Sequence, residues 1–152
     1  MPELVYRLGA GADVARIAGR PLGAEDRALV RAAQMTLQEG YDRHRHTVGA
    51  AVRTRSGAIY RGLNLNGIHT PCAEPVALGA AITAGDREIE SMVAVCRRGR
   101  SYPVLSPCGT CRQMLFDYAP RASVIVRLPG GRVARLTVAE SLPGAFESFH
   151  EE

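Results

Sequence analysis

Two stretches of this sequence with the composition of short buried helices each begin at a cysteine, and that pairing restricts the architecture more than any other feature. The first, CAEPVALGAAITA, opens at Cys72 and is closed by Gly85, with Pro75 in its first turn, where a missing N–H costs little. The second, CRQMLFDY, begins at Cys111 and follows Pro107-Cys108-Gly109-Thr110. If Cys72 and Cys108 each open a helix and the helices lie side by side, both N-termini point at one site. Such a pair needs a platform beneath it.

The rest of the chain supplies one. Within EDRALVRAAQMTLQE, part of an expected helix from Ala24 to Glu39, Leu29, Val30, Ala33 and Leu37 share one face at helical spacing. Gly40 follows, where that helix is expected to stop. TVGAAVRTR and AIYRGLN flank Ser56-Gly57, a hairpin pattern with a two-residue turn. SMVAVC is a continuous apolar strand and ASVIVRL another; a Pro-Gly-Gly turn then leads to RVARLT, an expected edge strand, and a short helix around VAESL. Helix, hairpin, then strands alternating with helices predict an α/β fold, a three-layer α-β-α sandwich with a central mixed sheet.

A length of 152 residues fits one domain. Residues 1–22 hold two Gly-containing breaks and are set apart as an N-terminal extension of no assigned structure; 23–152 form the expected domain. The net charge of +4 comes from arginines spread from Arg7 to Arg135 without a basic run, which is no electrostatic footprint for nucleic acid. No apolar run approaches the ~20 residues that span a bilayer, and no secretory signal pattern is visible, so a cytoplasmic location without a membrane partner is expected. In a reducing compartment the four cysteines, Cys72, Cys96, Cys108 and Cys111, fit metal binding or chemistry better than disulfides.

A C-x-x-C pair alone is ambiguous between a structural zinc knuckle, a redox pair and two unrelated thiols. Cys72 as a third thiol changes the balance. Three protein ligands leave the fourth tetrahedral position of zinc to water, which is the arrangement of a catalytic site. A closed site needs a fourth ligand. Cys96 sits in an apolar strand, where a small buried thiol is the plainer reading, and His69 reads as a polar loop residue. Glu74, two residues after Cys72, is placed to move protons to and from a zinc-activated water, whose pKa falls from about 15.7 to about 7 in favourable sites. Its plainer reading is an acidic residue favoured by the helix dipole. Beside three spaced cysteines the proton-transfer reading is the stronger. Three thiolates cancel the charge of Zn²⁺, and the compensating groups at hand are the two helix N-termini and Arg112, next to Cys111.

At CAE and SPCGTCRQ the chain resembles the cytidine deaminase superfamily. TVGAAV, GLN and the tail SLPGAF are similar to the family's segments as well, so the resemblance runs from about Ala24 to Phe146. It implies one Zn²⁺ per subunit on Cys72, Cys108 and Cys111, with Glu74 as the proton shuttle. It further implies that the Ala73 N–H meets the base carbonyl and the Ser106 carbonyl meets the exocyclic amine. Asn64 matches a sugar-hydroxyl contact, and Phe146 a tail aromatic that closes a neighbouring subunit's site in a homotetramer. The implied reaction is hydrolytic deamination of a free cytosine nucleoside, cytidine or deoxycytidine, in salvage or detoxification.

Three positions depart from that pattern. Asn66 stands where a ribose-binding glutamate is typical, His46 where an aromatic packs on the base, and Pro75 where an arginine commonly follows CAE. TPCAEP and the short loop from Asn64 to Cys72 are more like blasticidin S deaminases, which makes a cytosine nucleoside antibiotic the alternative substrate. His46 is either a stacking residue or a polar residue entering a strand; His44 and His150 read as solvent-exposed. Two other classes are weaker. A nucleic-acid deaminase usually has a histidine where Cys72 stands and needs basic tracks or stacking platforms, whereas aromatics here are 5% and Trp is absent. A zinc-stabilised nucleoside-binding protein without chemistry has no use for Glu74.

Overall fold

The structure, a computed structural model, describes residues 19–147. Helix α1 (Ala24–Gly40) buries Leu29, Ala33 and Leu37 at four-residue intervals, and Asp26 accepts a hydrogen bond from the Gly23 N–H at 3.0 Å at its start. It runs one residue further than expected, through Gly40, with Tyr41 as an extended cap. Strands β1 (Val48–Thr54) and β2 (Ile59–Leu63) form the hairpin. Its loop has three residues rather than the two read from the sequence. The Gly57 N–H bonds to the Thr54 carbonyl and the Thr54 N–H to the Ala58 carbonyl, both at 3.0 Å. Gly57 has φ +88°, so Ser56-Gly57 is the end of a turn with a bulge and not the whole turn.

Helix α2 (Ala73–Thr83) follows, then β3 (Ile89–Cys96), β4 (Val104–Leu105) and α3 (Gly109–Tyr118). Strands β5 (Ser123–Arg127) and β6 (Val133–Thr137) and helix α4 (Val138–Ser141) complete the order. Thr137 and Glu140 cap α4 reciprocally. The sheet order is β2-β1-β3-β5-β6, antiparallel except for the β3–β5 pair, with β4 paired to the C-terminal half of β3. A two-residue strand such as β4 is too short to leave a periodic signal. β6 is a sheet-edge strand, as expected, and Arg20 bridges its outer side through two N–H···O bonds to Arg135 at 2.8 Å.

Alternate residues of each strand enter different cores. Ala50, Val52, Met92, Ala94, Val124 and Val126 pack under α2, α3 and α4. Ala51, Val93, Val95 and Ile125 pack against α1. This is the predicted α-β-α sandwich. β2 and β3 both run antiparallel to β1, and β5 runs parallel to β3, so the three point the same way. α2 and α3 are therefore crossovers between like-directed strands, and both begin at the strands' C-terminal edge. α2 lies very close to the sheet. A Cβ placed on Gly62 of β2 would stand 2.5 Å from the Ala77 nitrogen and 2.7 Å from the Ala73 oxygen.

Candidate active site

Cys72 is the N-cap of α2 and Cys108 the N-cap of α3. Both have extended backbone and neither side chain caps its own helix, so both thiols are free to face each other across the paired helix ends. Cys111 lies in the first turn of α3 and is buried. The three Sγ atoms lie within 4.8 Å of one another, with Cys72 and Cys108 3.9 Å apart. Tetrahedral zinc with Zn–S bonds of about 2.3 Å sets its sulfurs about 3.8 Å apart, so this soft, three-sulfur donor set fits the ion. Among the described residues, no other group of three or more His, Cys, Asp or Glu donors is close enough to share a metal; Cys96 and His69 are not part of this one. All four cysteines are free thiols.

Glu74, in the first turn of α2, is only 4% exposed. Burial pushes its carboxyl upward, against the opposing pull of a backbone N–H and the Cys111 thiol. Burial likewise raises the Cys111 thiol, and the Glu74 carboxylate adds to the effect. Burial raises Cys72 as well. At Cys108 burial acts upward, but the Cys111 backbone N–H and the two neighbouring thiols outweigh it and hold the group below the usual thiol range. The carboxyl of Glu74 thus sits beside the Cys111 thiol in a desolvated place.

Ala73 is fully buried as the first helical residue of α2, and its N–H is one of those without an intrahelical acceptor. The Ser106 hydroxyl accepts from the Arg127 N–H and donates to the Arg127 carbonyl, both at 3.0 Å, tying the chain before Cys108 to β5. Arg112 donates to the carbonyls of Pro107 at 3.0 Å and Ser141 at 3.3 Å. It braces the backbone leading into Cys108.

Asn64 is 8% exposed, and its Oδ1 accepts from the N–H groups of Thr47 and Val48 at 2.7 and 2.8 Å. Its Nδ2 donates to the Asn66 Oδ1 at 3.2 Å. The carboxamide therefore first holds the 41–47 loop against the end of β2. The His46 Nδ1 lies 2.8 Å from the Asn64 carbonyl, which can only accept, so Nδ1 carries the proton and Nε2 is left available. Asn66 is exposed, fixed by its Nδ2 on the His44 carbonyl at 3.3 Å and by Arg45 Nη1 on its own carbonyl at 2.9 Å. Phe146 is exposed on the tail, while residues 1–18 and His150 lie outside the described residues.

Two residues carry parts of this arrangement that the sequence did not signal. Arg45 clamps the rim at Asn66. Gln113, inside the SPCGTCRQ motif but given no role there, bonds the tail at Phe146. A charged cleft of about 700 Å³ lies at the opposite end of the sheet, lined by Arg53, Glu88, Glu90 and Arg121 among others. Arg53 there pairs with Glu25 and Glu90, and Arg55 with Glu88; the cleft has no thiol.

A three-layer sandwich with three thiols at convergent helix ends and a buried carboxylate beside them is the framework of a hydrolytic deaminase. The chain belongs to the cytidine and deoxycytidylate deaminase zinc-binding region family, whose model matches residues 24–127. A blasticidin-S deaminase of Bacillus cereus is 34% identical over 130 residues, 80% of this chain and 92% of that protein. A cytidine deaminase of Halalkalibacterium halodurans is 36% identical over 106 residues, 67% of this chain and 78% of that one. The crystal structure of a cytidine deaminase from Burkholderia pseudomallei superposes with a TM-score of 0.66 at 30% identity, covering 79% of this chain and 98% of that one.

Proposed function

We infer that the protein deaminates a free cytosine nucleoside, cytidine or deoxycytidine, to the uracil nucleoside and ammonia. The observation that carries this reading is the convergence of Cys72, Cys108 and Cys111 within 4.8 Å beside the buried Glu74. The three thiolates would hold one Zn²⁺ per subunit, which when bound supplies Lewis-acid activation of a water at neutral pH. Glu74 takes a proton from the attacking water and delivers it to the ring nitrogen. It then passes the second proton to the exocyclic amine, so C4 gains the oxygen and loses ammonia. The Ala73 N–H orients the base carbonyl and the Ser106 carbonyl receives the amine. Asn64 and Asn66 line the sugar end with His46 against the base. Phe146 serves a neighbouring copy's site in a homotetramer.

A second reading is a cytosine nucleoside antibiotic of the blasticidin S type. It is favoured by Asn66, a neutral residue where a ribose-binding carboxylate is typical, and by the extent of likeness to the Bacillus cereus protein. Incubating the zinc-loaded protein with cytidine, deoxycytidine and blasticidin S, with ammonia release and loss of cytosine absorbance followed, tests both. Turnover of one compound by the wild type, and not by Glu74→Ala, establishes the chemistry and selects the substrate. Zinc binding with no ammonia from any of them would overturn the assignment and leave a nucleoside-binding protein.

A further inference from the structure

We propose that Gln113 is a positioning residue that fastens the C-terminal tail to the thiol-bearing helix and thereby sets where Phe146 projects. Gln113 lies two residues after Cys111 on α3. Its Nε2 donates to the Phe146 carbonyl at 2.9 Å, and its Oε1 accepts the Phe146 N–H at 3.1 Å. The side chain thus pairs with both backbone groups of one residue, as a neighbouring strand does. The second Nε2 hydrogen goes to Asp117 Oδ1, one turn further along, at 2.8 Å. A carboxylate only accepts, so Asp117 fixes which end of the amide is the donor, and a flipped Gln113 would set oxygen against oxygen at both contacts. Every hydrogen-bonding group of the amide is used.

The preceding residue grips the same segment, since Arg112 reaches the Ser141 carbonyl at 3.3 Å. Two consecutive residues of α3 therefore hold the tail at Ser141 and at Phe146. They hold it by backbone alone. The Phe146 ring takes no part in the anchoring and is 72% exposed. A tail that needed only to be tied down would turn this ring onto its own fold, where burial is favourable. Here the chain is locked and the ring presented, which is how a group destined for another surface is prepared at low entropic cost.

In the terms of the proposed function, Gln113 then affects nucleoside binding only through the tail. The test combines Gln113→Leu, which keeps the length and removes both bonds, with a chain ending at Ala145, singly and together. Hydrogen exchange over residues 143–147 of the zinc-loaded protein is expected to speed up about five- to tenfold in Gln113→Leu, the effect of one to two hydrogen bonds. KM for the nucleoside should rise by a similar factor with kcat changed less than about twofold. The truncation should do the same, and the double variant should be no worse than either. Asp117→Asn keeps an oxygen acceptor for Nε2 and should stay near wild type, whereas Gln113→Glu faces Asp117 with a like charge and should free the tail. Unchanged exchange in both Gln113 variants, or additive losses in the double variant, would overturn the proposal. The exchange measurement needs no substrate, so it stands even if every nucleoside fails as one. If Gln113→Leu fails to fold, Gln113→Glu and the truncation carry the same comparison.

Discussion

Gly62→Ala isolates the link between the fold and the site. Gly62 does not occupy the left-handed region, so alanine suits its backbone and the consequence is purely steric. The new methyl would stand 2.5 Å from the Ala77 nitrogen and 2.7 Å from the Ala73 oxygen. Both are backbone atoms of α2, so no side chain can rotate away. Restoring ordinary contact at about 3.4 Å requires the helix to withdraw by roughly 0.9 Å. Overpacking on this scale costs about 1–3 kcal/mol, or roughly 2–12 °C of melting temperature in a domain of this size. The first turn of α2 carries Glu74 and follows Cys72, so the withdrawal also widens the thiol triangle. A misplacement near 1 Å lowers turnover by up to ~100-fold. Gly79→Ala is the control. It lies in the same helix with open space around its Cβ position and should be neutral or stabilising by about 0.5–1 kcal/mol. Melting, zinc content and loss of cytosine absorbance are measured on both. If Gly62→Ala melts within about 1 °C of wild type and keeps kcat/KM within twofold, the close approach does not position the site.

Glu74→Gln should retain zinc by elemental analysis while kcat falls by ~100- to 10,000-fold; a fall below tenfold would remove Glu74 from the proton path. Cys111→Ser should lose zinc on dialysis that spares the wild type, and chelation should abolish wild-type turnover; activity that survives complete metal removal contradicts the thiol assignment. Glu140→Ala removes the reciprocal cap of α4 and should cost about 1 kcal/mol at pH 7, the half-exposed pair with Arg20 adding little. The Arg20 side chain and the Thr137 N–H hold the Glu140 carboxyl down at about 2. Its contribution is therefore fully present above its ordinary value near 4.5 and is lost as pH falls toward 2, so the two melting curves should converge on acidification. A gap that widens between pH 7 and pH 3 would reverse the sign of this argument.

The parts legible in the sequence were those expressed as periodicity or as an unusual residue at a helix start. The α1 stripe of Leu29, Ala33 and Leu37 and the apolar runs of β3 and β5 gave the layers, and Cys72 and Cys108 fell on N-caps as expected. Tertiary partners were not legible. The hairpin loop gained a residue because Ser56-Gly57 fits either turn, and only the Thr54 N–H to Ala58 bond decides between them. β4 was invisible because two residues carry no period. Asn64 could be matched to a role, yet no local pattern reveals that its Oδ1 is committed to Thr47 and Val48 seventeen and sixteen residues away. Gln113 meets Phe146 across thirty-three residues for the same reason.

The placement of the chemistry follows from strand direction. Because β2, β3 and β5 point the same way, each connecting helix must begin at their C-terminal edge, and any residues capping α2 and α3 meet there. Only the identity of the caps then has to be specified, and a short polar cap that satisfied its own helix would serve the fold as well or better. Cys72 and Cys108 do not cap by side chain. Their presence at both positions concedes helix stability, which accords with the metal-binding role proposed for them. The residues proposed to meet the substrate have a different structural origin. The 41–47 loop, the 64–72 loop and the tail carry His46, Asn66 and Phe146 outside the crossovers, tied by Asn64, Arg45 and Gln113. On the proposed function, changes there would alter what is bound without moving the thiols; two of the three departures from the family pattern, His46 and Asn66, lie in those segments, and the third, Pro75, lies in the first turn of α2.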